Sequence, residues 1–321
     1  MRKRLLVIAL GGNALLQRGE KGTFEEQYSN VRRTAEKIAG ILDDGYMLAV
    51  THGNGPQVGA TLLRHDAGSR LYSLPAFPMD VCGAETQGFI GYMIQQALDR
   101  EFIRKGINRK AVTVITRVLV DENDPAFANP TKPVGPFYTK EQADELSRKN
   151  PQLIFKEDSG RGYRRFVPSP DPREILEKDQ IEQLVKMGYV VISTGGGGIP
   201  VVARRSEGSV EYHGVEAVID KDLAAERLAT LLAAEKLVIL TDVDAVYLNY
   251  GRQDAKALDR VRVSEMKDYI GRGYFATGSM EPKVRAAIRF VSNGGREAII
   301  ANLNRLEQAL AGSSGTRVLP D

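Results

Sequence analysis

The sequence predicts an α/β fold: helices on both faces of an open, mostly parallel sheet, a three-layer αβα sandwich, with a small inserted subdomain. Three observations carry this. Short β-rich apolar runs alternate with helical patterns along most of the 321 residues, as βαβ units do. Three of those runs end directly in glycine-rich loops. Eight of the fourteen prolines fall between Asp121 and Pro172, too many for a regular βα unit, because each removes a donor and fixes φ.

Taken in order, Leu5-Leu-Val-Ile-Ala-Leu10 reads as a buried strand entering Gly11-Gly12-Asn13-Ala14. Thr23-Phe-Glu-Glu26 has capping-box spacing, and Val31, Ala35, Ile38 and Leu42 recur at helical intervals before Gly45. Met47–Thr51 is the second strand and meets His52-Gly53-Asn54-Gly55-Pro56. A long helix is expected over 83–105, and Ala111–Val120 reads as one strand long enough to extend beyond the sheet. Residues 121–172 form the inserted subdomain, with Thr139-Lys-Glu-Gln142 capping a short helix. The regular pattern resumes with a helix near 174–187, a strand over 189–194 that runs into Gly195–Gly198, and a helix near 221–234. A strand over 237–241, a helix near 281–293 and a strand over 297–301 follow. The domain division is thus 1–120 with 173–321, interrupted by 121–172.

Composition narrows the function. With 44 basic and 41 acidic residues mixed throughout, the net charge is +3 and no cationic cluster marks a nucleic-acid surface. One cysteine, Cys82, rules out an internal disulfide framework, and His52, His65 and His213 stand apart, without metal-ligand spacing. No apolar run approaches the roughly 18 residues of a membrane span. The expectation is a soluble, cytoplasmic protein with neither nucleic acid nor membrane as partner.

The glycine loops point to an anion. Without side chains, successive N–H groups turn toward a phosphate as a nest does. Neither standard phosphate fingerprint is met: G-x-x-x-x-G-K-[ST] is absent, and Gly53-Asn-Gly55-Pro-Gln-Val-Gly59 is one residue too long for G-x-G-x-x-G. Positive charge must then come from lysines near strand ends. Lys221 lies between Asp220 and Asp222 at a helix start, where the carboxylates read equally well as plain caps. Lys283 follows Gly278-Ser279-Met280-Glu281-Pro282 in a first helical turn, opposing the helix dipole unless an anion compensates it. Lys132 is wedged in the rigid Asn129-Pro-Thr-Lys-Pro-Val-Gly-Pro136, which reads by itself as a surface loop.

These segments, together with Lys156-Glu-Asp-Ser-Gly-Arg161, Val167-Pro-Ser-Pro170, Gly195-Gly-Gly-Gly-Ile-Pro200 and Gly214-Val-Glu-Ala-Val-Ile-Asp-Lys-Asp222, resemble the carbamate kinases, in order from residue 5 to about 318. The resemblance implies an eight-stranded-type sheet, a protruding subdomain, a homodimer, and reversible phosphoryl transfer between ATP and carbamate with Mg²⁺, in arginine breakdown or carbamoyl phosphate supply. It implies roles as well. Gly11, Gly12 and Asn13 approach the phosphates, and Lys221, Lys283 and Asp222 serve the group in flight. Gly53, Asn54 and Gly55 hold the carbamate end, and Lys132 closes the site. Gly195, Gly196, Gly197, Gly198, Asp220, Thr241, Asp242, Tyr247 and Met280 border the nucleotide, whose phosphates carry the Mg²⁺ with no direct protein ligand. Two departures stand out: Tyr163 stands where an aromatic such as Trp is expected, and 203–213 is longer and more polar than the pattern. The alternatives are a relative of the same fold acting on acetylglutamate, aspartate or UMP, and a non-catalytic nucleotide sensor.

Overall fold

The computed structural model describes residues 4–17, 19–42, 45–158, 160–206 and 208–321. Eight strands form the central sheet, in the order Arg260–Arg262, Thr316–Leu319, Glu297–Asn302, Lys236–Thr241, Arg4–Leu10, Tyr46–His52, Val190–Ile192 and Ala111–Thr113. The last six run parallel, and the first two run against them. Six parallel strands need covered crossovers, which is why helices lie on both faces.

The period of two along each strand sorts the core into two layers. Leu6, Ile8 and Leu10 pack with Val31, Ala35 and Ile38 of the helix Phe24–Gly40 and with Ile90, Ile94 and Leu98 of the helix Met79–Lys105. Leu5, Val7 and Ala9 face the opposite way, toward Ala225 and Leu228 of the helix Lys221–Leu231 and Val284 and Ile288 of the helix Met280–Ser292. Each fully buried Leu or Ile contributes roughly 1.5–3 kcal/mol relative to exposure. Between strands, Lys236 and Glu297 are cross-strand neighbours joined through their charges, and Arg317 Nη1 lies 2.5 Å from the other Glu297 oxygen. All three side chains are buried in the sheet.

Both capping boxes form. Thr23 accepts from the Glu26 N–H while Glu26 accepts from the Thr23 N–H, and Thr139 and Gln142 do the same for the helix Lys140–Lys149. One strand differs from the expectation. The run 111–120 divides into Ala111–Thr113, in the central sheet, and Arg117–Leu119, which joins a second sheet beside Ile199–Ser206. The chain turns between them because buried Gln87 takes both the N–H and the C=O of Thr116. A helix over Gly55–Tyr72 and the hairpin Ile199–Ser206/Ser209–Gly214 were not anticipated.

Between residues 121 and 172 lie the helix Lys140–Lys149 and a three-stranded antiparallel sheet of Lys132–Tyr138, Tyr163–Val167 and Ile154–Glu157. This sheet lies on the helix Gly55–Tyr72 at a close main-chain contact. A Cβ at Gly59 would stand 3.1 Å from Gly135 Cα, so any larger residue would push the strand carrying Lys132 outward by a few tenths of an ångström.

Candidate active site

The parallel strands Arg4–Leu10, Tyr46–His52 and Lys236–Thr241 end along one edge of the sheet, where open α/β sheets bind ligands. The helix Lys221–Leu231 begins at the same edge, and its first turn separates the two readings of its carboxylates. Asp220 is the cap: its Oδ1 accepts from the N–H groups of Asp222 and Leu223. Its Oδ2 lies 2.7 Å from Lys132 Nζ, which reaches across from the three-stranded sheet. Asp222 has no capping role and is buried between two ammonium groups, Lys221 Nζ at 2.5 Å and Lys283 Nζ at 3.2 Å. Burial works to raise the Asp222 pKa, but the two lysines outweigh it and hold the carboxyl below its usual range. Lys283 also donates to the Ser279 carbonyl from the first turn of its helix.

Three ammonium groups against two carboxylates leave one positive charge in a cleft of about 320 Å³. Gly12, Gly53, Asn54, Gly55 and Gly196 line the same cleft. A smaller hollow of about 230 Å³ continues it, where Gly11, Gly12 and Asn13 face Lys221, Lys283, Thr241 and Asp242. Such an arrangement attracts a compact polyanion and stabilises charge that moves between donor and acceptor oxygens.

Next to the cleft, and sharing Ser279 and Lys283 with it, is a cavity of about 250 Å³ walled by Tyr247, Tyr250, Tyr274, Phe275 and Met280. Thr241 and Asp242 line it as well. Four aromatic side chains give this cavity faces on which an aromatic ring can stack.

The four glycines of the expected nucleotide border differ in their surroundings. Gly196 alone of the four lines the charged cleft, beside Asn54, while the tyrosine-walled cavity is lined by other residues. Gly195, Gly197 and Gly198 are packing positions: a Cβ on them would meet His52, the Ile219 carbonyl and Val118. Gln87 secures the run by donating to the Gly195 carbonyl at 3.0 Å. Asn54 is held in turn by donating to Thr86 Oγ1 at 2.8 Å. His52 is fully buried with Nδ1 3.0 Å from the Gly53 carbonyl; burial, opposed by that bond and reinforced by Lys221, lowers its pKa to about 4.

Sequence reasoning missed Gln87, Thr86, Tyr250, Tyr274 and Phe275. The pair Tyr274-Phe275, close before Gly278-Ser279, offered a signal; Gln87 and Thr86 looked like ordinary polar helix residues.

The fold and this site define a phosphotransferase. Residues 4–302 match the model of the amino acid kinase family. A carbamate kinase of Pyrococcus furiosus is 55% identical over 320 residues, covering 100% of both chains. One from Trichomonas vaginalis is 49% identical over 316 residues, covering 98% of this chain and 99% of its own. Among solved structures, carbamate kinase from Giardia lamblia bound to AMP-PNP superposes with a TM-score of 0.92 at 46% identity, covering 100% of this chain and 99% of its own. The chain belongs to the amino acid kinase family, in its carbamate kinase branch.

Proposed function

We propose that this chain transfers a phosphoryl group reversibly between ATP and carbamate, giving ADP and carbamoyl phosphate. The observation that carries the reading is the buried Asp222 carboxylate, which sets Lys221 and Lys283 side by side where the charged cleft meets the tyrosine-walled cavity. In this reading the nucleobase stacks among Tyr247, Tyr250, Tyr274 and Met280, with Thr241 and Asp242 in the same wall. The phosphates run past Ser279 to Gly11, Gly12 and Asn13. Gly53, Asn54, Gly55 and Gly196 surround the carbamate end. The Giardia relative bound to AMP-PNP supports a nucleotide in this fold.

Carbamate is already an oxyanion nucleophile, so the residues need supply no general base. Lys221 and Lys283 neutralise the equatorial oxygens of the group in flight, and Asp222 fixes the distance between them. Lys132 closes over the acceptor from residues 121–172, a unit inserted between 1–120 and 173–321, and Asp220 aims it. Mg²⁺, when bound with the nucleotide, lowers the charge on the phosphates. The cleft suits an ion carried by phosphate oxygens, since Asp220 and Asp222 are engaged by lysines.

We also read the protein as a cytoplasmic homodimer; among the described residues no helix is long and apolar enough to cross a membrane. The exposed Leu71, Tyr72, Leu74 and Phe77, at and beyond the end of the helix Gly55–Tyr72, give an apolar surface suited to self-association. The deciding test is ATP formation from carbamoyl phosphate and Mg·ADP, beside Lys221→Ala. ATP from the wild type and a loss of about 10²–10³-fold in the variant are expected. A folded, nucleotide-binding protein that makes no ATP from carbamoyl phosphate but acts on acetylglutamate, aspartate or UMP overturns the reading.

A further inference from the structure

We propose that Arg289 is a positioning residue that fixes the inserted segment, and through it Lys132, relative to the two helices carrying Lys221, Asp222 and Lys283. The inference rests on the phosphoryl-transfer reading above. Arg289 lies on the helix Met280–Ser292, the helix of Lys283. Its Nε is 3.2 Å from Oε2 of Glu226, which is fully buried on the helix Lys221–Leu231. The other Glu226 oxygen accepts from Thr230 and Asn293. One side of the guanidinium therefore pairs by charge with the other lysine helix.

The other side holds the neck of the insertion. Arg289 Nη1 and Nη2 donate to the two oxygens of Asp171 at 2.6 and 3.2 Å, a bidentate pair that fixes orientation as well as distance. Asp171 is tied to the entry side of the neck, where its N–H donates to Asp124 Oδ2. A short chain of contacts leads from there to the site. The Pro168 carbonyl accepts from the Val218 N–H, two residues before Asp220. Val167 is the register partner of Lys132, whose ammonium meets Asp220. A shift at Asp171 thus moves the strand that aims Lys132, and a misplacement on the order of 1 Å at a reacting group costs about 10²-fold in rate.

Removing Arg289 itself would leave Glu226 buried without its cation and unfold part of the structure, so the test falls on Asp171. Asp171→Asn keeps the size and the Arg289–Glu226 pair but cancels the charge at the neck. For ATP formation we expect kcat to fall about tenfold and KM for carbamoyl phosphate to rise. KM for Mg·ADP and the thermal midpoint should not move. Amide exchange in Lys132–Tyr138 should quicken, and Asp171→Glu should restore most of the rate. An active wild type whose Asp171→Asn variant keeps its kcat and both KM values overturns the inference. So does a variant whose two KM values and thermal midpoint all shift together, because that is the signature of general loosening. An inactive wild type instead overturns the activity reading, and this inference falls with it.

Discussion

Lys221 and Lys283, far apart in the chain, close on opposite oxygens of one buried carboxylate: Asp222 Oδ1 lies 2.5 Å from Lys221 Nζ and Oδ2 lies 3.2 Å from Lys283 Nζ. Two like charges are brought together by an acid that remains ionised. Asp222→Asn should cost about 3–5 kcal/mol of stability at neutral pH, since it leaves two cations without their counter-charge. It should cut turnover by about 10²-fold or more. Because the folded pKa is depressed, this stabilisation is present above the unfolded value near 3.9 and is lost as pH falls through the folded one. Urea midpoints taken from pH 7 into acid should fall more steeply for the wild type than for the variant; parallel curves would contradict the assignment.

Gly196 has φ +66°, and a Cβ there would stand 2.2 Å from Asn54 Nδ2. Gly196→Ala should lose roughly 1–2 kcal/mol from left-handed strain and should also displace Asn54. Gly208→Ala is the control: φ is +85°, and nothing lies within 4 Å of its Cβ. Both variants should lose stability, while only Gly196→Ala should raise KM for carbamoyl phosphate. Equal KM values would remove Asn54 from that end of the cleft.

His52 adds an acid limb of its own. Its pKa of about 4 lies below the unfolded value of 6.5, so the unfolded chain binds the extra proton between those pH values. Stability should decline by about 3 kcal/mol from this group alone as pH drops from 6.5 to 4. Comparing urea unfolding of the wild type and His52→Gln at pH 7 and 4.5 measures it. If the two proteins show the same pH dependence, His52 is not buried neutral.

Cys82 is fully buried, and burial, with Glu85, Glu216 and Asp80 nearby, pushes its thiol up to about 11. Since the thiolate is the reactive species, the native protein should resist a coloured disulfide reagent and retain activity. In urea the same reagent should titrate one thiol per chain. Rapid reaction of the native protein would show that the segment around Phe77 opens.

Much of the architecture was legible because the physics that writes it is local. Leu5–Leu10 alternates between two apolar layers, and Thr23 with Glu26 and Thr139 with Gln142 mark helix starts within three residues. The lysines were visible as charges that needed a reason. The helix Gly55–Tyr72 was not visible, since it opens on Gly-Pro, contains Gly59 and Gly68, and has little amphipathic character. The break at Thr116 and the anchoring of Gly195 depend on Gln87, whose partners are 29 and 108 residues away. The glycine run could be read as an anion nest because positive φ and absence of side chains look the same in sequence whether they face a ligand or a packed neighbour. Here Gly196 faces the cleft, and the other three make room for His52, Ile219 and Val118.

The charged cluster within the sheet gives the molecule a temperature dependence unlike that of its apolar layers. Lys236, Glu297 and Arg317 are held out of water, and the free energy of hydrating such groups becomes less favourable on warming. The penalty for burying them therefore shrinks with heat, while the gain per unit of apolar area levels off. The strand Thr316–Leu319, which Arg317 fastens to its neighbour, is accordingly held by a tie that gains on the rest of the core as the protein is heated and yields ground to it in the cold.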